Sequence, residues 1–162
     1  MQSRLYVEAI LASMKHFDVN SLQVDVWRWF LRSGREFSTI NREHSRNLAN
    51  HYGAHERQCY ANALQIAMCE PELAYVEGFA TSIIPVEHAW VVNKQGTVFD
   101  PTWILLGEDW TPDYFGVEIP LIVAAKHYAD PRLIMPAWTA LAQQQLNKTF
   151  ISGESAGQTD VA

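Results

Sequence analysis

The stretch Val86–Trp103, VEHAWVVNKQGTVFDPTW, decides how this chain is read. Two runs rich in β-branched and aromatic residues flank a polar turn ending on Gly96, so they predict two antiparallel strands folded back as a hairpin. With Lys94, Gln95 and Gly96 as the loop, Asn93 faces Thr97 and His88 faces Thr102. Asp100 is then diagonal to His88 on the same sheet face, at the roughly 7–8 Å backbone separation that a His–carboxylate hydrogen bond can span. A one-residue change of register would send one of the two side chains to the opposite face. An imidazole oriented by a carboxylate is a general base, and it calls for a nucleophile.

Upstream, HERQCYANALQIAMCEPEL (55–73) supplies one. Cys59, Ala63, Ile66 and Ala67 fall on one helical face and Pro71 forbids continuation, which predicts a helix with Cys59 near its start. A free thiol has a pKa of about 8.5, and the thiolate is the nucleophile. The unpaired N–H groups and positive dipole end of a helix N-terminus stabilise such an anion, and a nearby imidazolium adds to the effect. Cys59 is therefore the candidate nucleophile, His88 the base and Asp100 its orienting acid. Cys69, at the other end of the same helix, lacks that positive end and reads as a structural thiol.

Further out, Tyr6, Ile10, Met14 and Phe17 recur at helical spacing and predict a first amphipathic helix. Asn20 and Ser21 are N-cap residues for a second, through LQVDVWRWFLR, which Ser33-Gly34 ends. Trp27, Trp29 and Phe30 read as core or groove wall. STINREHSRNLANHYG (38–53) predicts one more helix, closed by Gly53. AYVEGFAT and the run after Pro85 predict strands. EDWTPDYFGVEIPL (108–121) is broken by Pro112, Gly116 and Pro120; it reads as irregular, with Gly107–Gly116 a lid over the cleft. LIVAAKHY and the segment after Pro136 predict the last helices. Gln143, Gln144 and Gln145 on the final helix offer a surface for self-association, and the oligomeric state stays open.

The chain has 162 residues, 48% hydrophobic and 19% charged, which fits one domain over 1–150 and a disordered polar tail over 151–162. Its net charge of −6 argues against nucleic-acid binding. Met1–Tyr60 holds eight Lys+Arg against six Asp+Glu, and the remainder four against twelve, so all the excess acid lies in the second half. That excess is either a solvated surface or a cleft that prefers basic substrates. Two cysteines are too few for a disulfide scaffold, and the first residues lack an uninterrupted apolar signal segment. No stretch is apolar enough to span a bilayer. The expectation is a cytoplasmic protein without membrane partners. His51 and His55 are four apart, but Gly53 between them breaks the helix and the order of zinc proteases is missing, so no metal is expected. No Gly-rich phosphate loop is present, and no cofactor is expected.

Taken together, RQCYANA, YVEGFA, EHAWVV and FDPTW, in that order, resemble the transglutaminase-like superfamily, a branch of the papain-like fold. The resemblance runs from Arg57 to Trp103. It implies an α+β fold in which N-terminal helices and the nucleophile helix pack on a small antiparallel sheet. Position by position it puts Cys59 at the nucleophile, His88 at the base and Asp100 at the orienting acid. Arg57 stands where many members have glycine. The implied activity is thiol-dependent acyl transfer on a protein or peptide amide, hydrolysis ahead of crosslinking, with a non-catalytic protein-binding module as the alternative. Such chemistry needs oxyanion donors: the backbone N–H of Cys59 and the side-chain amide of Gln58 are the candidates. Trp90 and Trp103 flank the base and the acid and are candidates to shield them from water.

Overall fold

The computed structural model describes residues 2–17, 19–107, 111–130, 132 and 135–154. Among these, six α-helices surround one five-stranded antiparallel sheet. The helices are α1 (Gln2–Ser13), α2 (Ser21–Ser33), α3 (Arg42–Tyr52), α4 (Cys59–Cys69), α5 (Leu121–Tyr128) and α6 (Ala137–Glu154). The strands are β1 (Arg35–Phe37), β2 (Ala74–Thr81), β3 (Pro85–Val92), β4 (Val98–Phe99) and β5 (Asp113–Glu118), in the spatial order β1-β5-β2-β3-β4.

Local chemistry explains most boundaries. Asn20 Oδ1 accepts from Leu22 N and starts α2, and Gly34 N closes it on Phe30 O. Asn41 Oδ1 accepts from His44 N to start α3. Gly53 ends that helix in the left-handed region at φ 61°, which glycine adopts without steric cost. In α1 Ser3 and Val7 are buried, Tyr6 sets its ring edge-on to Phe79 at 5.3 Å, Ile10 is half-buried, and Phe17, past the end of the helix, is exposed. A polar lock adds to this packing: Asp113 accepts from Gln2 N and Ser3 N, and Ser3 Oγ meets Thr81 Oγ1 at 2.6 Å.

The hairpin β3–β4 has the expected register, with Val91 opposite Phe99 and Val92 opposite Val98. Asn93 N donates to Thr97 O, and Gly96 N back to Asn93 O. β4 stops at Phe99, however, because Pro101 has no N–H for the ladder and the chain turns at Asp100. β1 and β5 were not foreseen. β5 occupies the segment read as irregular, so Asp113–Gly116 is interior sheet and no lid; residues 108–110 lie outside the described residues. Its glycine is a fitting device, not a breaker. Gly116 pairs with Gly78 of β2, and a Cβ on Gly116 would fall 2.7 Å from the Trp90 ring.

The sheet carries two apolar faces. Tyr75, Phe79, Ala89, Val91, Phe115 and Val117 pack with the helices, including Phe30 of α2 and Trp138 of α6. Phe37, Val76, Ala80, Trp90, Val92, Val98 and Tyr114 form the second cluster. Inside the first lies Glu77, fully buried, accepting from Tyr75 Oη and Tyr128 Oη at 2.8 Å and from Trp138 N at 3.0 Å. Burial raises its carboxyl above the ordinary range. α6 carries helix to Glu154, four residues into the segment read as a disordered tail; 155–162 lie outside the described residues. Among the described residues no helix is long and apolar enough to cross a membrane.

Candidate active site

The site is assembled where α4 meets the start of β3. Gln58 is the N-cap of α4 and Cys59 its first residue, half-buried, while Cys69 is exposed at the last position. Cys59 therefore has the helix-start environment expected of it, with first-turn N–H groups that no intrahelical carbonyl can reach. Just before it, Arg57 takes φ 62°, a left-handed conformation that costs a side-chain-bearing residue about 1–2 kcal/mol. The turn into the helix thus has a backbone that suits glycine, with an arginine on it.

α4 packs chiefly on β3, which brings Cys59 to His88. His88 is 2% exposed and its Nε2 lies 2.7 Å from Asp100 Oδ2. Cys59 is close enough for its thiol to act on the ring, and since Nε2 faces Asp100, Nδ1 is the nitrogen left toward the sulfur. Burial pushes His88 toward its neutral form. The Asp100 charge and hydrogen bond, with a smaller contribution from Cys59, overcome that push and raise its pKa to about 10. The imidazole is thus held protonated at neutral pH, beside a thiol.

Asp100 is fully buried and its carboxylate accepts four hydrogen bonds. Oδ2 takes His88 and, at 3.0 Å, Tyr114 Oη; Oδ1 takes Thr102 N at 3.0 Å and Trp103 N at 2.9 Å. Its own N–H donates to Ser45 Oγ at 3.0 Å. The Asp-Pro-Thr-Trp turn therefore folds around the carboxylate, capping the 3-10 turn Trp103–Leu106. Trp103 lies against the His88 ring at 4.9 Å and Trp90 stacks at 6.2 Å, so both foreseen tryptophans pack on the His88 ring. Trp90 is fully buried, and Trp103 only partly.

Three residues of the site were not foreseen. Tyr114 sits on β5, the strand whose Gly and Pro content hid it. Ser45 of α3 joins that helix to Asp100. Asn62, one turn beyond Cys59, donates from Nδ2 to His55 O at 2.7 Å and to Thr102 Oγ1 at 2.8 Å, and accepts His55 N at 3.1 Å. It clamps the loop before the cysteine to the turn after the aspartate. A poor helix former on the buried face of a helix was the available signal. Gln58 is exposed and makes no side-chain cap bond, and His55 is exposed at its ring while its backbone is held by Asn62. Among the described residues no group of three or more His, Cys, Asp and Glu is arranged to hold a metal ion.

Compared with known proteins, the chain matches no family model, no curated protein and no solved structure.

Proposed function

We propose that this chain is a thiol-dependent acyl-transfer enzyme of the transglutaminase-like, papain-like type, acting on peptide or protein amides. The observation that carries the reading is His88, buried between the Asp100 carboxylate and the Cys59 thiol at the first residue of a helix. An imidazolium beside a thiol at a helix N-terminus is the arrangement that favours a thiolate nucleophile.

The chemistry follows from these atoms. Cys59 Sγ attacks the amide carbonyl carbon, and the oxyanion is met by the Cys59 backbone N–H and by the amide of Gln58. Loss of one such donor typically costs about 2.7–4 kcal/mol of transition-state stabilisation. His88 gives its proton to the departing ammonia or amine as the C–N bond breaks, leaving a thioester. Water then attacks the thioester, His88 takes one of its protons, and the carboxylic acid departs as the C–S bond breaks, restoring the Cys59 thiolate beside the His88 imidazolium. Asp100 keeps the ring in place and stabilises its charged form throughout. With no feature among the described residues for holding a second amine, hydrolysis is favoured over crosslinking.

The test is the pH dependence of Cys59 alkylation by iodoacetamide, in a Cys69→Ala background, with and without His88→Ala. Fast labelling at pH 6 that collapses without His88 is expected. A second reading has an observation of its own: His88 is almost wholly buried under Trp103, as in a binding module that keeps the triad behind a closed cleft. Slow labelling with an ordinary thiol profile, indifferent to His88, would assign the chain to that class.

A further inference from the structure

Asn62 stands one turn beyond Cys59 on α4, 5% exposed, with every polar atom of its amide engaged. Oδ1 accepts from His55 N, while Nδ2 donates to His55 O and to Thr102 Oγ1. The bonds to His55 hold the base of the turn that enters the helix, and Gln58 N closes that turn on the same carbonyl at 3.4 Å. Arg57 keeps its left-handed φ within it, a conformation that persists only where the surroundings impose it. The bond to Thr102 leaves the helix altogether. Thr102 N donates to Asp100 Oδ1, and Asp100 Oδ2 meets His88 Nε2. Buried hydrogen bonds therefore run without a gap from α4 through the turn of the acid to the base. The apolar side of α4 is built of Ala63, Ile66 and Ala67, which share a cluster with Ala89 and Val91 of β3. Such packing is non-directional: it sets how near the helix lies but only loosely how it is turned. A hydrogen bond has direction, and Asn62 applies one within a turn of the nucleophile.

We infer that Asn62 is a positioning residue for the nucleophile: its bond to Thr102 sets the Cys59 sulfur against the His88 ring, and its bonds to His55 hold the turn that presents Cys59. The inference rests on the acyl-transfer reading for the chemistry that this alignment serves. An imidazolium favours the thiolate steeply only at close range, so a small rotation or slide of α4 separates the pair. Loss of the bond should therefore show in the acidity of the thiol, and not in stability alone.

The experiment follows iodoacetamide labelling of Cys59 between about pH 5 and pH 9 in the full chain carrying Cys69→Ala, with urea unfolding of each variant alongside. Thr102→Val keeps the volume and removes the acceptor, while both His55 bonds remain. Its labelling at pH 6 should fall ~10-fold as the profile moves up toward that of an ordinary thiol, with the rate at pH 9 retained. Thr102→Ser keeps the oxygen and should label as the parent does. Asn62→Ala should move the profile at least as far as Thr102→Val; should it fail to fold, Thr102→Val decides alone. Thr81→Val removes the hydroxyl that meets Ser3 Oγ and serves as the stability control: it should lower the urea midpoint and leave the labelling profile in place. An activated parent thiol whose profile Thr102→Val leaves unmoved, or moves no further than Thr81→Val does, would overturn the inference and leave the enzyme reading intact. An ordinary thiol in the parent, indifferent to His88→Ala, would overturn the enzyme reading and this inference with it.

Discussion

Asp100 shows how much can hang on one side chain. Its four accepted bonds draw on β3, β5 and the turn after β4, and its backbone N–H reaches α3. Asp100→Asn keeps the volume but removes the charge that most raises the His88 pKa. The ring should then lose its proton in the physiological range, and iodoacetamide labelling at pH 6 should fall toward that of His88→Ala. Tyr114→Phe removes a single hydrogen bond to the carboxylate; the expectation is a loss of about 1.5–3 kcal/mol in urea unfolding, with labelling retained. Arg57 is the opposite kind of residue, held in a conformation it disfavours. Arg57→Gly should stabilise the fold by about 1 kcal/mol in the same assay, whereas destabilisation would mean that its side chain holds the loop.

At the scale of elements, the pairing of β2 with β5 depends on two facing glycines. A Cβ on Gly78 would stand 2.2 Å from Phe115 O and 2.5 Å from Gly116 Cα, both backbone atoms that have no rotamer by which to yield. Gly78→Ala should therefore cost more than ~3 kcal/mol or leave no cooperative unfolding transition by circular dichroism. A cost below ~1 kcal/mol would mean that the two strands part easily. Because β5 carries Tyr114, loosening this pair should also slow Cys59 alkylation, through Asp100 and His88 in turn.

For the whole molecule, the site leaves a signature in stability against pH. The folded chain holds the His88 proton up to about pH 10, while an unfolded histidine releases it near 6.5. Between those values the folded state binds the extra proton, so this contribution is complete below pH 6.5 and is lost as pH rises toward 10. The stability difference between the parent and His88→Gln should shrink over that window in urea titrations. A difference that stayed level would show the ring to be neutral in the fold.

Much of this was legible along the chain because it depends on neighbours. Asn20, Gly34 and Gly53 set helix ends through bonds a few residues long, and the Asn93–Gly96 turn fixed the register that aligns His88 with Asp100. Cys59 at a helix start follows from the apolar spacing behind it and Pro71 beyond. Other features depend on what packs from elsewhere. Asp113 ties down the start of α1, Gly116 lies in close approach to Gly78 and Trp90, and Tyr114, Ser45 and Asn62 join the site from three separate elements. Local hydrogen bonding and periodicity determined the helices, the β2–β4 strands and the His–Asp pairing by sequence alone. The close approach of backbones and the sharing of one buried carboxylate are long-range events, and only the tertiary structure decided them.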